Sequence, residues 1–273
     1  MDNINYIEIL QEESRKCLKE FIRACEENKL NYYLFFGSLL GAIRHKGFIP
    51  WDDDIDIVMP RKDYAKFITL FGEHFSDDYF LDGFNCSRYL NNQPNCRIDF
   101  KHILIRKDKD RGVHYYNAFI SLFPIDGIPN NVIMRRIHIY RLKFYYGLLR
   151  LSRSYRVGID KLDKRTVKDK FFIVVSKCLP IGGLLSPQVI AKKYNQVSSK
   201  YDYNKKNRCI VSWNFIELES HLMVEGVPAV FDDIHCMIPS GWDALLTKFY
   251  GDYMILPSED KRIPHHGYEL IRE

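Results

Sequence analysis

Gly37-Ser38-Leu39-Leu40-Gly41-Ala42-Ile43-Arg44-His45-Lys46-Gly47-Phe48-Ile49-Pro50-Trp51-Asp52-Asp53-Asp54-Ile55-Asp56-Ile57-Val58-Met59 decides how this chain is read. The aromatic run before it, residues 32–36, predicts a buried strand. Gly37-Ser38 ends that strand, residues 39–44 predict a short helix, and Gly47 and Pro50 punctuate a loop. Residues 55–59 predict a second strand, stopped by Pro60. A strand that runs into Gly-Ser at the start of a helix offers free backbone amides to an anion. Side-chain alternation along the second strand puts Asp54 and Asp56 on one face. Two carboxylates on one rigid edge suit a hard cation, Mg²⁺ or Mn²⁺. Asp52 and Asp53 add negative charge, and such a run repels itself unless a cation or basic groups offset it. Arg44, His45 and Lys46 lie between the two elements and could neutralise phosphates. The competing reading is a solvated acidic loop with an N-cap.

Outward from this stretch, residues 6–27 have Ile7, Leu10, Leu18, Phe21, Ile22 and Cys25 at helical spacing. Residues 61–75 predict another helix. Strands are expected at residues 97–100, 103–105 and 116–123, the last ending in a turn at Pro124-Ile125-Asp126-Gly127. The character changes after Pro129. Residues 132–156 hold seven Arg and Lys and no acidic residue, with Ile133, Ile137, Tyr140, Phe144 and Leu148 at helical spacing. More helix is expected to about residue 203, and residues 242–250 predict a last helix. The expected fold is therefore α/β (α+β): a mixed sheet flanked by helices, in a core of residues 1–130 and 206–273 with a basic helical insertion at 131–205.

Composition bounds the function. Of 273 residues, 46% are apolar and 27% charged, so a packed core is affordable and disorder is not indicated. The net charge of +5 suits a phosphate-bearing ligand or an anionic surface. It lacks the clustering expected of a nucleic-acid binder. Seven cysteines, odd in number and without a Cys-x-x-Cys pair, argue against a disulfide framework or structural zinc. The polar N-terminus predicts no signal peptide, and the most apolar run, residues 171–185, is too short and broken to span a bilayer. A reducing, cytoplasmic setting is expected.

The stretch from Phe36 to Ile57 resembles the signature of the LicD family, which includes bacterial phosphocholine transferases and is related to the fukutin proteins. Phe123-Pro124-Ile125-Asp126-Gly127-Ile128-Pro129 is similar to that family's Phe-Pro-Leu-Asp-Gly segment. Tyr250-Gly251-Asp252-Tyr253-Met254, with Leu256-Pro257, Arg262 and His265-His266, is similar to its C-terminal signature. The resemblance implies a nucleotidyltransferase-like fold and transfer of phosphocholine, or a related phospho-alcohol, from CDP-choline or another CDP-alcohol. The acceptor would be a hydroxyl of a cell-envelope glycan such as lipopolysaccharide, teichoic acid or capsule, in some cases lipid-linked.

By match to the motif, Asp54 and Asp56 are the principal metal ligands and Asp52 an additional one. Gly37, Ser38, Arg44 and Lys46 would hold the donor phosphates. Trp51 is a candidate face for a quaternary ammonium group, or simply packs under the loop. His265 and His266 are candidates for phosphate contact. Ser121 stands where the family carries a third carboxylate. Either Asp126 or Asp99 substitutes for it, the first cluster holds the metal alone, or the chain is altered at that position; Asp126 near the acceptor is the candidate proton acceptor, although it could equally be a turn residue. The basic helix is expected to contact anionic lipid on the inner face of the cytoplasmic membrane, or to present a basic face that is solvated or paired with acidic groups elsewhere. Release of pyrophosphate by a nucleotidyltransferase, or nucleotide binding without turnover, are the alternatives.

Overall fold

The computed structural model describes residues 3–84, 86, 94–109, 112–157, 181–204, 206–211, 215–264 and 269–272. Helix α1 (Asn3–Glu27) leads into the two-residue strand β1 (Tyr33–Leu34). Helix α2 (Phe36–Leu40) continues as one wider π-helical turn, Gly41–His45. Strand β2 (Asp56–Pro60) abuts helix α3 (Arg61–His74). Strands β3 (Tyr79–Asp82), β4 (Cys96–Lys109) and β5 (Gly112–Ile128) follow. The helical layer contains α4 (Val132–Val157), α5 (Ile181–Leu184) and α6 (Pro187–Ser198). Strands β6 (Arg208–Val211) and β7 (Ile216–Glu219), the hairpin β8 (Gly226–Phe231) with β9 (Ile234–Pro239), helix α7 (Trp242–Tyr250) and strand β10 (Glu269–Arg272) follow, with short 3-10 turns at Ser220–Leu222 and Glu259–Lys261.

The main sheet is mixed, as expected, with helices against it. Its path is β1-β2-β5-β4-β10; β3 also pairs with β4, β6 with β5, and β7 with β6. Among the described residues only β2 and β5 pair in parallel. Alternation separates two faces. Ile55, Ile57, Met59, Ile98, Ile120 and Leu122 are fully buried on the side that receives α1 and α3. α1 supplies Leu18, Phe21 and Cys25, and α3 supplies Phe67, whose ring is tilted against that of Phe21 with centroids 4.9 Å apart. Each such large side chain contributes about 1.5–3 kcal/mol on burial. The opposite face carries Asp56, Ser121, Arg97 and Asp82, which stand in register on four adjacent strands.

Two expectations change here. The strand candidates at 97–100 and 103–105 are one strand, bent by a register shift between Asp99 and Leu104. β3 pairs with its first half and β10 with its second. More important, the expected turn at 124–127 is the interior of β5. The N–H of Ser121 donates to Ile55 O of β2 at 2.8 Å, so the N–H groups of odd-numbered residues here face β2 and Pro124 faces away. On that far side β4 ends its pairing at Leu122 and β6 begins at Ile125. Proline therefore falls where no neighbour asks for a donor. Gly127 is needed for a close approach: any side chain there would collide with the backbone of Tyr201 and Asp202, which crosses β5 at this point.

Asp126 is not a turn residue. It is fully buried and clamped by Arg61, whose Nε and Nη2 donate to Oδ1 at 2.6 Å and Oδ2 at 2.5 Å. The same guanidinium donates to Asn195 Oδ1 and Ser198 Oγ of α6. The pair thus ties the sheet to the helical layer, whose own apolar cluster contains Leu142, Leu149, Ile190, Tyr194 and Val197. Removing one partner strands the other charge in the interior. Asp126→Ala is expected to cost about 3–5 kcal/mol in urea denaturation. A loss under about 1 kcal/mol, the range of an exposed pair, would show that the clamp carries no such weight.

Candidate active site

The acidic run forms a compact group at the entry to β2. One carboxylate oxygen from each of Asp52, Asp53 and Asp54 lies within 4.8 Å of the others. Asp52 and Asp53 are buried, and Asp54 and Asp56 half-buried. Burial first, then the charges of Asp54 and Asp52, push the Asp56 carboxyl well above the usual carboxylate range. Asp56 is outside the tightest oxygen group, but it feels both neighbours.

Three features hold this loop. Gln11 of α1 donates from Nε2 to Asp52 O at 2.8 Å and, at 3.4 Å, to Ile49 O. Ser38 Oγ accepts the backbone N–H of Asp56 at 2.9 Å, joining α2 to the start of β2. Gly37 leaves room: a Cβ there would stand 2.5 Å from Asp52 Oδ2. Phe36, immediately before it, has φ of 45°, a left-handed conformation that costs about 1–3 kcal/mol for a bulky residue. Ring contacts with Phe35, Phe123 and Phe249 hold it there. The strained turn aims Gly37 and Ser38 at the acidic loop.

The remaining candidates form a wall beside the cluster. Arg44 donates from Nη1 to Tyr253 O at 2.7 Å, binding the turn after α7 to the π-helical turn. Lys46 has φ of 62°, and its carbonyl accepts the Asp232 N–H at 2.6 Å; its side chain is exposed. Trp51 is half-buried, with His45 edge-on at 6.2 Å and the Arg262 guanidinium 5.9 Å from its ring centroid. A cation from the chain itself therefore already uses this aromatic face. Tyr250 joins the group: after burial, the charges of Asp56, Asp52 and Asp54 raise its phenol pKa. His265 and His266 lie outside the described residues.

Ser121 sits beside Asp56 on the parallel neighbour β5, where a further carboxylate would complete the group. The two proposed substitutes are elsewhere engaged. Asp126 is held by Arg61, and Asp99 is buried and bonded to Arg97 at 3.0 Å. Arg97 also donates to the buried Asp82 at 2.9 Å. Asp126 is thus fully buried and committed to Arg61 rather than grouped with the acidic loop. Gln11, Arg97 and Asp82 carried no sequence signal, being single polar residues in ordinary elements. Arg262 was visible only inside the C-terminal motif.

Residues 29–139, which contain the acidic loop, match the family described as LicD/FKTN/FKRP, nucleotidyltransferase domain. The protein carries a LicD family domain. The whole chain is also similar to the lipopolysaccharide cholinephosphotransferase LicD of Haemophilus influenzae: 27% identity over 274 aligned residues, covering 95% of this chain and 97% of that protein. An uncharacterized protein of Rickettsia typhi is 40% identical over 116 residues, 40% of this chain and 36% of its own length. The acidic loop, Gly37-Ser38 and Ser121 all fall within the LicD domain, whereas Tyr250 and Arg262 lie beyond it.

The electrostatics give a test. Because folding raises the Asp56 pKa, its destabilising effect is absent below about pH 4 and grows as pH rises toward the folded value. Asp56→Asn is therefore expected to match or exceed the parent's Tm at pH 8 without divalent cation, and to lose any rise in Tm that Mg²⁺ gives the parent. A metal-free variant markedly less stable than the parent would remove the crowding argument. Gly37→Ala is expected to displace the Asp52 carboxylate and weaken Mg²⁺ binding about 10-fold or more in calorimetric titration; unchanged affinity would dissociate Asp52 from the site.

Proposed function

We propose that the chain transfers phosphocholine, or a related phospho-alcohol, from a CDP-linked donor to a hydroxyl of a cell-envelope glycan. The observation that carries this is the crowding of Asp52, Asp54 and Asp56 against Gly37-Ser38, in a chain aligned end to end with a lipopolysaccharide cholinephosphotransferase. Oxygen ligands on one strand and its loop, with a carboxyl that folding makes hard to ionise, are the donor set a hard divalent cation stabilises. Mg²⁺ or Mn²⁺ held by Asp52, Asp54 and Asp56 would offset charge on the donor phosphates and on departing CMP.

The chain's own residues account for orientation. Ser38 fixes where Asp56 starts β2, and Gln11 fixes the carbonyl of Asp52. The basic groups of Arg44 and Lys46, with the amides of Gly37-Ser38, supply positive potential toward the phosphates. Trp51 and Tyr250 are the aromatic faces we assign to a choline headgroup; for Trp51 the headgroup would compete with Arg262. An acceptor hydroxyl would attack the phosphorus that bears the alcohol, in line with the CMP oxygen. Lipopolysaccharide is the first acceptor to try, ahead of teichoic acid or capsule, because the relative is named for it.

A second reading follows from the family description, a nucleotidyltransferase domain. That reaction would place a nucleotide on the acceptor and release pyrophosphate. The purified protein, incubated with Mg²⁺, a panel of CDP-alcohols and candidate glycans, is expected to release CMP and add phosphocholine or its analogue to one acceptor, read by mass. An acceptor that gains a nucleotide from CTP would establish the second reading. Failure to release CMP from every CDP-alcohol would indicate a binding protein in which Ser121 marks a lost ligand.

A further inference from the structure

Helix α4 is apolar on two opposite sides. Leu142, Leu149 and Ile139 are buried against the helical layer and the sheet. Ile133, Ile137, Tyr140 and Phe144 point the other way and are exposed by 70%, 56%, 71% and 61%. At about 100° per residue these four fall within an arc of about 60°. Arg136 and Lys143 border the arc on one side and Arg141 on the other, all three exposed. Among the described residues the Arg135 ion pair with Glu217 lies off this face, and residues 132–157 contain no acidic side chain.

An exposed stripe of large apolar groups asks for a partner. Its charge pattern selects which. A second copy of the chain docked face to face would bring two sets of arginines and lysines together with no acid on either helix to offset them. An anionic bilayer surface satisfies both parts: apolar side chains enter the acyl boundary while long cationic side chains reach back to the phosphates. Tyr140 has the polar tip and apolar body favoured at that depth.

We propose that α4 docks this protein on an anionic membrane surface, with Ile133, Ile137, Tyr140 and Phe144 inserted and Arg136, Arg141 and Lys143 on the headgroups. The helix lies in the interface; among the described residues no helix is long and apolar enough to cross a membrane. The proposal stands apart from the transfer reaction, since docking needs neither donor nor acceptor.

Co-sedimentation of the full chain with vesicles tests it, at physiological salt. The parent is expected to bind vesicles of equal parts phosphatidylglycerol and phosphatidylcholine, and to stay in the supernatant with phosphatidylcholine alone. Ile137→Asp with Phe144→Asp should abolish binding, and Arg136→Gln or Arg141→Gln should each weaken it about 5-fold. Neither pair touches the buried face, and thermal melts confirm that the variants fold. No binding to anionic vesicles would overturn the proposal, as would binding that survives the double aspartate change. A lipid-free dimer abolished by that same change, seen in sedimentation velocity, would assign the stripe to a second copy instead.

Discussion

The structure is organised around mutual repulsion of carboxylates at the mouth of β2. At separations of about 5 Å, each like-charged pair costs roughly 3 kcal/mol at the dielectric of a protein surface. Nothing in the local backbone requires this arrangement; it is held from outside. Gln11 reaches from α1, Ser38 from α2, and Gly37 is kept small so that Asp52 can close in. The left-handed Phe36 stores further strain next to the same spot and is secured by an aromatic cluster. Strain and charge held in one place by packing elsewhere is the physical profile of a binding centre.

Buried arginines divide the other carboxylates away from that centre. Arg61 takes Asp126 and, through Asn195 and Ser198, fastens the helical layer to the sheet. Arg97 takes Asp82 and Asp99 on the same sheet face as Asp56 and Ser121. Buried ion pairs of this kind add modest net stability and strongly penalise loss of one partner. Their consequence here is to hold Asp126, Asp82 and Asp99 in arginine clamps apart from the acidic loop. Ser121 makes the point sharply: its neighbour across β2 is Asp56, while its neighbour across β4 is Arg97.

The helical layer has a different logic. α4 gives one face to the protein and keeps another for the outside, so its amphipathic pattern is double. Read as a periodicity, Ile133, Ile137, Tyr140 and Phe144 look like a core stripe; in three dimensions they are the exposed one, and Leu142 and Leu149 are inside. A basic border on the exposed stripe connects that geometry to a surface of opposite charge.

Much was legible in the residues alone. Periodicity places α1, α3, α4 and α7, and alternation with Pro60 places β2, because those signals are local. The acidic loop and the Gly-Ser turn were legible for the same reason: their chemistry is written in adjacent positions. What the chain order could not show was partnership across distance. Pro124 inside a strand depends on a gap between two neighbours, β4 and β6, that come from opposite sides in sequence. Asp126 is a clamp because Arg61 lies across from it, 65 positions away. The outward face of α4 depends on which side α6 and the sheet cover. Local torsion and spacing determine elements; only packing determines which polar groups meet, and so which carboxylates remain for chemistry.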